Sequence, residues 1–130
     1  MEDSKADIFL VRESIAQARI AAEFQEVSDG EKAINFLSQL EDDASLPCPD
    51  LIILDINLPR KPGRAVLAHL RKCARSGSIP VLIVTSSNSD RDREEMESLG
   101  TRAYFRKPSE YDEFMKLGDL VGSLLTSRPV

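Results

Sequence analysis

The chain has no tryptophan, only two cysteines, no excess of basic residues and no long apolar run. No apolar segment approaches the roughly 18–20 residues that a membrane-spanning helix requires, and no secretory signal is visible. Cys48 and Cys73 belong to no motif, which favours reduced thiols. The net charge of −5 leaves no basic stripe for direct binding of nucleic acid. We therefore expect a cytoplasmic protein whose direct partners include neither nucleic acid nor a membrane.

The length and composition predict one globular domain. A chain of 130 residues buries a core without the help of disulfides or metals. No repeat, low-complexity tract or linker divides it. We expect a single domain over residues 1–130.

The most informative segment is LIILDINLP, residues 51–59. Its short apolar run lies between prolines and is rich in isoleucine, which is typical of a strand buried on both faces of a parallel sheet. Asp55 ends this run. Open α/β sheets place their ligands at the carboxyl ends of their strands, so Asp55 is a candidate chemical centre.

Two further apolar runs end in polar residues. The run at 81–84 leads into Thr85, and the run at 103–105 leads into Arg106 and Lys107. In a parallel sheet Asp55, Thr85 and Lys107 would emerge at one edge. An acid, a hydroxyl and an amine at one edge suit phosphoryl chemistry, because the hydroxyl and the ammonium both bind phosphoryl oxygens.

Helical and strand patterns alternate along the chain. Apolar residues at helical spacing predict five helices, with a short strand at Glu23–Val27 between the first two. This alternation predicts a doubly wound parallel sheet with helices on both faces. The chain nevertheless opens on a helix, where a central strand should come first.

At this point the sequence resembles the receiver domain of bacterial two-component response regulators. The similarity is greatest to small stand-alone receivers that work with phytochrome-type histidine kinases. It is carried by LDINLPRKPG, VTSS, the Lys107-Pro108 pair, Asp29-Gly30 and the acidic pair Glu2-Asp3. The resemblance implies a flavodoxin-like fold with strand order 2-1-3-4-5. Asp55 would be the phosphoacceptor, Thr85 the switch hydroxyl, Tyr104 the switch aromatic and Lys107 the lysine that binds the phosphoryl group.

The resemblance also implies a divalent metal, expected to be Mg²⁺. Its protein ligands would be Asp3, Asp55 and the backbone carbonyl of Asn57, while Glu2 would act through a metal-bound water. Lys107 would pair with Asp55 at rest and with a phosphoryl oxygen afterwards. Thr85 would bind another phosphoryl oxygen, and Tyr104 would then turn inward.

Two features depart from the family's pattern. Lys5 stands where a proline is usual, and only Met1 precedes Glu2 where a first strand should lie. A competing register takes Ile8–Val11 as that strand and Arg12-Glu13 as the acidic pair, but it leaves too few residues before Asp29. We expect that the first strand is truncated or absent from the numbered sequence, and favour omitted or mis-assigned residues over a true deletion.

The leading functional hypothesis is a phosphoacceptor response regulator without an output domain. A histidine kinase would phosphorylate it, and it would bind partners when phosphorylated, as a homodimer through 103–105 and 110–124 or in a kinase complex. It would catalyse only its own phosphoryl transfer and dephosphorylation. The alternative is a pseudo-receiver, a binding module without metal-dependent phosphorylation. A flavodoxin-like enzyme or nucleotide binder is disfavoured because the chain lacks a glycine-rich phosphate loop.

Overall fold

The computed structural model describes residues 1–126, so residues 127–130 of the expected domain lie outside the described part. Within that part the chain forms five helices and three strands. In chain order these are α1 (Lys5–Gln17), α2 (Gly30–Asp42), β1 (Ile52–Leu54), α3 (Gly63–Arg71), β2 (Val81–Thr85), α4 (Asp90–Ser98), β3 (Ala103–Arg106) and α5 (Tyr111–Thr126). The expected five helices are confirmed.

The three strands form one parallel sheet in the order β1-β2-β3. Ile52 lies opposite Val81 in the first pair, and Leu82 lies opposite Ala103 in the second. Every residue of β2 is buried, as the continuous apolar run predicts for a strand covered on both faces. The carboxyl ends of all three strands therefore meet at the same edge of the sheet.

Two apolar clusters cover the two faces of this sheet. One contains Leu37 of α2 and Leu67 of α3, and the other contains Ile15 of α1 and Leu117 of α5. The result is a three-layer α/β domain, which confirms the predicted fold class. The edge strand β3 is only partly buried, with the exposed Arg106 at its end.

The predicted strand at Glu23–Val27 is wrong. This segment has no strand pairing, and residues 21–26 are exposed. Its one backbone contact with the sheet region is the bond from the amide of Glu2 to the carbonyl of Val27, at 2.9 Å. A strand needs a ladder of such bonds with a neighbour, and a single bond does not form one.

The alternative first strand at Ile8–Val11 is also wrong, because these residues lie inside α1. The hydroxyl of Ser4 accepts the amide of Asp7 at 3.3 Å and so caps this helix. The helix therefore begins directly after the acidic pair. Glu2 and Asp3 are left in the short extended segment beside β1.

Candidate phosphoacceptor site

Asp55 lies directly after β1 and is buried, with 6% of its surface exposed. Its Oδ1 accepts the amide of Asn57 at 3.1 Å, which orients the carboxylate within the turn that leaves the strand. Its own amide donates to the carbonyl of Met1 at 3.1 Å. The backbone of Gly63 packs against this turn, and its amide donates to the carbonyl of Ile56 at 2.7 Å. The turn after β1 is thus fixed on several sides.

Lys107 follows β3 and reaches across the same sheet edge to Asp55. Its amide donates to the carbonyl of Thr85 at 2.7 Å, which ties the residue to the end of β2. Its Nζ lies 2.9 Å from Oδ2 of Asp55 and 2.7 Å from Oδ2 of Asp7, and it also bonds to Glu2. The predicted pairing of Lys107 with Asp55 is therefore present. One ammonium therefore contacts three carboxyl groups, from Glu2, Asp7 and Asp55.

The pKa values of this cluster follow from burial and mutual contact. Burial opposes the charge of Lys107, but its bonds to Asp7, Glu2 and Asp55 outweigh that effect and raise its pKa. The pKa of Asp55 is lowered, because the bonds from Lys107, Glu2 and Asn57 outweigh the cost of burial. The pKa of Glu2 rises to about 7, chiefly through desolvation and the neighbouring Asp55. Of the neighbouring acids Glu2 and Asp55, Glu2 is therefore the one that is protonated more readily.

Glu2 reaches this cluster because the first two residues run like a piece of strand. The amino group of Met1 donates to the carbonyl of Ile53 at 2.9 Å, and the amide of Glu2 donates to Val27 on the opposite side. Burial lowers the pKa of the Met1 amino group. The short segment at residues 1–2 therefore fixes where the acidic pair lies.

The carboxylates of Glu2, Asp3 and Asp55 form a cluster whose oxygen atoms lie within 4.8 Å of one another. Asp55 is buried and Asp3 is exposed, so the cluster opens to solvent on one side. Hard divalent cations prefer such oxygen ligands and keep several waters. The donor set fits a divalent metal, and three of the predicted ligand residues contribute to it. Asn57 is exposed beside it, two residues after Asp55.

Thr85 and Tyr104 both contact the loop that follows β2. Thr85 is fully buried at the end of the strand, and its hydroxyl accepts the amide of Ser87 at 3.4 Å. The hydroxyl of Tyr104 donates to the carbonyl of Ser87 at 3.2 Å, and its ring lies 5.4 Å from the guanidinium of Arg93. Burial raises the pKa of Tyr104. Ser87 therefore connects the predicted switch hydroxyl and the predicted switch aromatic.

Asp7 is the residue of this site that the sequence argument missed. Its carboxylate contacts Lys107, although the two residues are 100 positions apart. The available signal was its place three residues after the capping Ser4, which puts it in the first turn of α1 beside the acidic pair. That position alone does not show which way the side chain points.

Known proteins are similar to this chain over most of its length. Residues 1–118 match the family described as the response regulator receiver domain. The response regulator Rcp1 of Synechocystis sp. is 36% identical over 117 residues, which cover 90% of this chain and 80% of Rcp1. The crystal structure of the phosphorylated cyanobacterial phytochrome response regulator RcpA has a TM-score of 0.87 at 32% identity, covering 100% of this chain and 93% of that one. The Mn²⁺-bound form of Rcp1 has a TM-score of 0.85 at 33% identity, covering 100% and 94%.

The fold and the family match together define a receiver-type α/β domain of two-component systems. The chain belongs to the response regulator receiver domain family. It is similar over nearly its whole length to stand-alone phytochrome response regulators.

No helix within residues 1–126 is long and apolar enough to cross a membrane.

Proposed function

We propose that the protein is a receiver that accepts a phosphoryl group on Asp55 from the phosphohistidine of a phytochrome-type histidine kinase. The observation that carries this proposal is the buried Asp55 carboxylate, 2.9 Å from the ammonium of Lys107 and within the oxygen cluster formed with Glu2 and Asp3. In the transfer, the phosphorus–nitrogen bond of the donor breaks as a phosphorus–oxygen bond to Asp55 forms. Such transfer depends on positioning and charge neutralisation more than on acid–base groups.

A divalent ion, expected to be Mg²⁺, would be held by Asp3, Asp55 and the Asn57 carbonyl, with Glu2 acting through water. When bound, it supplies positive charge against the phosphoryl oxygens. The Mn²⁺-bound form of the similar Rcp1 supports a divalent cation here. Desolvation and the neighbouring Asp55 raise the pKa of Glu2 to about 7, and a divalent cation beside it would favour its charged form.

Lys107 changes partners in this proposal. At rest it bonds to three carboxylates, and after transfer one of its donors turns to a phosphoryl oxygen. The hydroxyl of Thr85 turns to another phosphoryl oxygen and leaves the amide of Ser87. Because Tyr104 bonds to the same Ser87, this movement releases Tyr104 to turn inward.

The output is a surface that changes on phosphorylation. Tyr104 lies on β3, the exposed edge of the sheet, beside Arg93 of α4. We propose that a partner, or a second copy of the chain, binds at β3 and α5. In this proposal the protein acts in the cytoplasm and catalyses no reaction beyond its own phosphorylation and dephosphorylation. Sedimentation with and without phosphorylation tests the homodimer, and a monomer at high concentration in both states would refute it.

The phosphoacceptor role is tested with Mg²⁺ and acetyl phosphate, followed by intact mass. We expect the mass of one added phosphoryl group, lost in EDTA and in Asp55→Asn, because an amide is a poor nucleophile and metal ligand. The matched control is Asp42→Asn, an exposed acid at the end of α2, which should be phosphorylated like the unaltered chain. Phosphorylation of Asp55→Asn at one stable site would show that another residue is the phosphoacceptor. Absence of phosphorylation in the unaltered chain and in every variant would favour the pseudo-receiver. That alternative is a binding module that keeps the receiver fold without metal-dependent phosphorylation.

A further inference from the structure

A ring of three hydrogen bonds joins the loop after β2 to the first turn of α4. The hydroxyl of Ser87 donates to Oδ2 of Asp92 at 2.7 Å. The same hydroxyl accepts the amide of Ser89 at 3.3 Å, and the hydroxyl of Ser89 accepts the amide of Asp92 at 3.3 Å. Hydrogen bonds to a carboxylate are shorter and stronger than bonds between neutral groups. The bond from Ser87 to Asp92 is therefore the strongest of the three.

Ser87 is also the residue at which the two proposed switch residues meet. Its amide donates to the hydroxyl of Thr85 at 3.4 Å, and its carbonyl accepts the hydroxyl of Tyr104 at 3.2 Å. The guanidinium of Arg93, which follows Asp92 in α4, lies 5.4 Å from the centre of the Tyr104 ring. Two consecutive residues of α4 therefore contact the switch. Asp92 holds the loop, and Arg93 lies over the aromatic ring.

Helix α4 is anchored at its other end, which limits its movement. Met96 is buried, with 1% of its surface exposed. The guanidinium of Arg71 donates to the carbonyls of Leu99 and Gly100 at 2.8 and 2.7 Å, directly after the helix. The loop can therefore move in two ways only. Either the bond to Asp92 breaks, or α4 shifts against these anchors.

We propose that the bond between Ser87 and Asp92 is a latch that holds the switch loop, residues 86–89, in its resting arrangement. Asp92 is then a positioning residue that slows the phosphorylation of Asp55, because it acts through Ser87 rather than on the reacting atoms. While the latch is closed, the hydroxyl of Thr85 stays on the amide of Ser87 and away from the phosphoryl group. This inference rests on the proposed function, since it concerns the rate of that phosphorylation.

The latch acts on a population of two states, with the loop held or released. Transfer to Asp55 is faster in the released state, in which Thr85 is free to bind a phosphoryl oxygen. When the held state predominates, loss of the latch increases the released fraction by the factor to which the bond corresponds. For a partly buried hydrogen bond to a carboxylate this factor is about tenfold.

A double-mutant cycle tests the bond directly. Asp92→Ala removes the acceptor and Ser87→Ala removes the donor. In each variant we expect the initial rate of phosphorylation by Mg²⁺ and acetyl phosphate, followed by intact mass, to rise at least about fivefold. The double variant should be no faster than the faster single variant, because both changes break the same bond. The matched control is Asp90→Ala, an exposed acid in the same turn of α4, which should leave the rate unchanged.

A conservative variant separates the bond from the charge of Asp92. Asp92→Asn removes the negative charge but keeps an oxygen that accepts the hydroxyl of Ser87. We expect its rate to rise less than half as much as that of Asp92→Ala. If the two variants are equally fast, the effect belongs to the charge of Asp92 and the latch is wrong.

Tyr104 reports the latch without phosphorylation. Tyr111→Phe leaves Tyr104 as the single tyrosine in a chain without tryptophan. In this background, and without acetyl phosphate, Asp92→Ala should reduce quenching of Tyr104 fluorescence by iodide, because the released loop lets the ring turn inward. Asp90→Ala should leave the quenching unchanged.

The two measurements distinguish failure of the latch from failure of the proposed function. If the unaltered chain is not phosphorylated, the proposed function fails, while lower quenching in Asp92→Ala still supports the latch. If the unaltered chain is phosphorylated and Asp92→Ala is no faster than Asp90→Ala, the latch is wrong. Equal or greater quenching in Asp92→Ala would also overturn it. The same holds if the effects of the two single variants multiply in the double variant, since Ser87 and Asp92 would then act independently.

Discussion

The Nζ of Lys107 lies 2.7 Å from Oδ2 of Asp7, closer than its 2.9 Å contact with Oδ2 of Asp55. A carboxylate at the start of α1 therefore shares the ammonium that the proposed phosphoryl group would bind. Asp7 holds Lys107 in the resting site, and it also competes with the phosphoryl oxygens for it. Because of this competition, Asp7 acts as a positioning residue, and its removal should increase phosphorylation.

We predict that Asp7→Asn increases the fraction phosphorylated by Mg²⁺ and acetyl phosphate. The variant frees one donor of Lys107, and an ion pair worth about 1 kcal/mol corresponds to roughly a fivefold change. Intact mass over time measures this fraction, and the exposed Asp42→Asn is the control. A loss of phosphorylation as large as that in Lys107→Ala would contradict the competition and show that Asp7 aligns Lys107 for transfer.

We predict that Lys107→Ala destabilises the metal-free protein. Removal of the ammonium leaves the carboxylates of Glu2, Asp7 and Asp55 facing one another, and breaking such a buried pair costs about 3–5 kcal/mol. Added Mg²⁺ should restore more stability to this variant than it gives the unaltered chain. Urea unfolding measures both effects. Lys116→Ala, which removes an exposed pair with Glu113, should change stability by less than about 1 kcal/mol.

We predict that Glu2 makes the metal-free protein less stable as the pH rises from about 4.5 to about 7. The folded-state pKa of Glu2 is raised from 4.5 to about 7, so its stabilising contribution is complete below 4.5 and is lost as the pH passes through the folded value. The difference amounts to at most about 3 kcal/mol. Glu2→Gln should remove this slope in unfolding measured across that range. Glu94→Gln, on the exposed face of α4, should leave it intact.

We predict that Gly63→Ala damages both stability and phosphorylation. A Cβ at Gly63 would lie 2.5 Å from the carbonyl oxygen of Asp55 and 2.7 Å from the Cα of Ile56, so the turn that orients Asp55 must move. Overpacking of this kind costs about 1–3 kcal/mol. The control is Gly122→Ala, whose Cβ would meet only Ile20 at 3.5 Å. That change should be neutral or stabilising, because alanine favours a helix.

The sequence predicted which residues lie at the carboxyl edge of the sheet, because that prediction depends only on local sequence. Each strand is a short apolar run, and the residue after it must emerge at the carboxyl end. Asp55 and Lys107 could therefore be placed together without knowledge of side-chain contacts. Asp7 could not, because its contact with Lys107 depends on how α1 packs against a loop 100 residues away.

The predicted strand at Glu23–Val27 failed for the opposite reason. Phe24 and Val27 favour a strand locally, but a strand exists only where a neighbour completes the hydrogen-bond ladder. Within residues 1–126 the segment has no strand pairing, and Val27 accepts a single bond of this kind, from the amide of Glu2. Local pattern therefore indicates the potential for a strand, while pairing decides whether it forms.

Tyr104 allows the proposed switch to be observed directly. The chain has no tryptophan and two tyrosines, so Tyr111→Phe leaves Tyr104 as the single tyrosine fluorophore. In the resting structure its hydroxyl bonds to the carbonyl of Ser87 at 3.2 Å, on a strand that is half exposed. We predict that phosphorylation of this variant reduces quenching of Tyr104 by iodide, because the ring turns inward when Thr85 releases the Ser87 loop. Addition of Asp55→Asn should abolish the change, and unaltered quenching in a sample whose mass shows full phosphorylation would refute the switch.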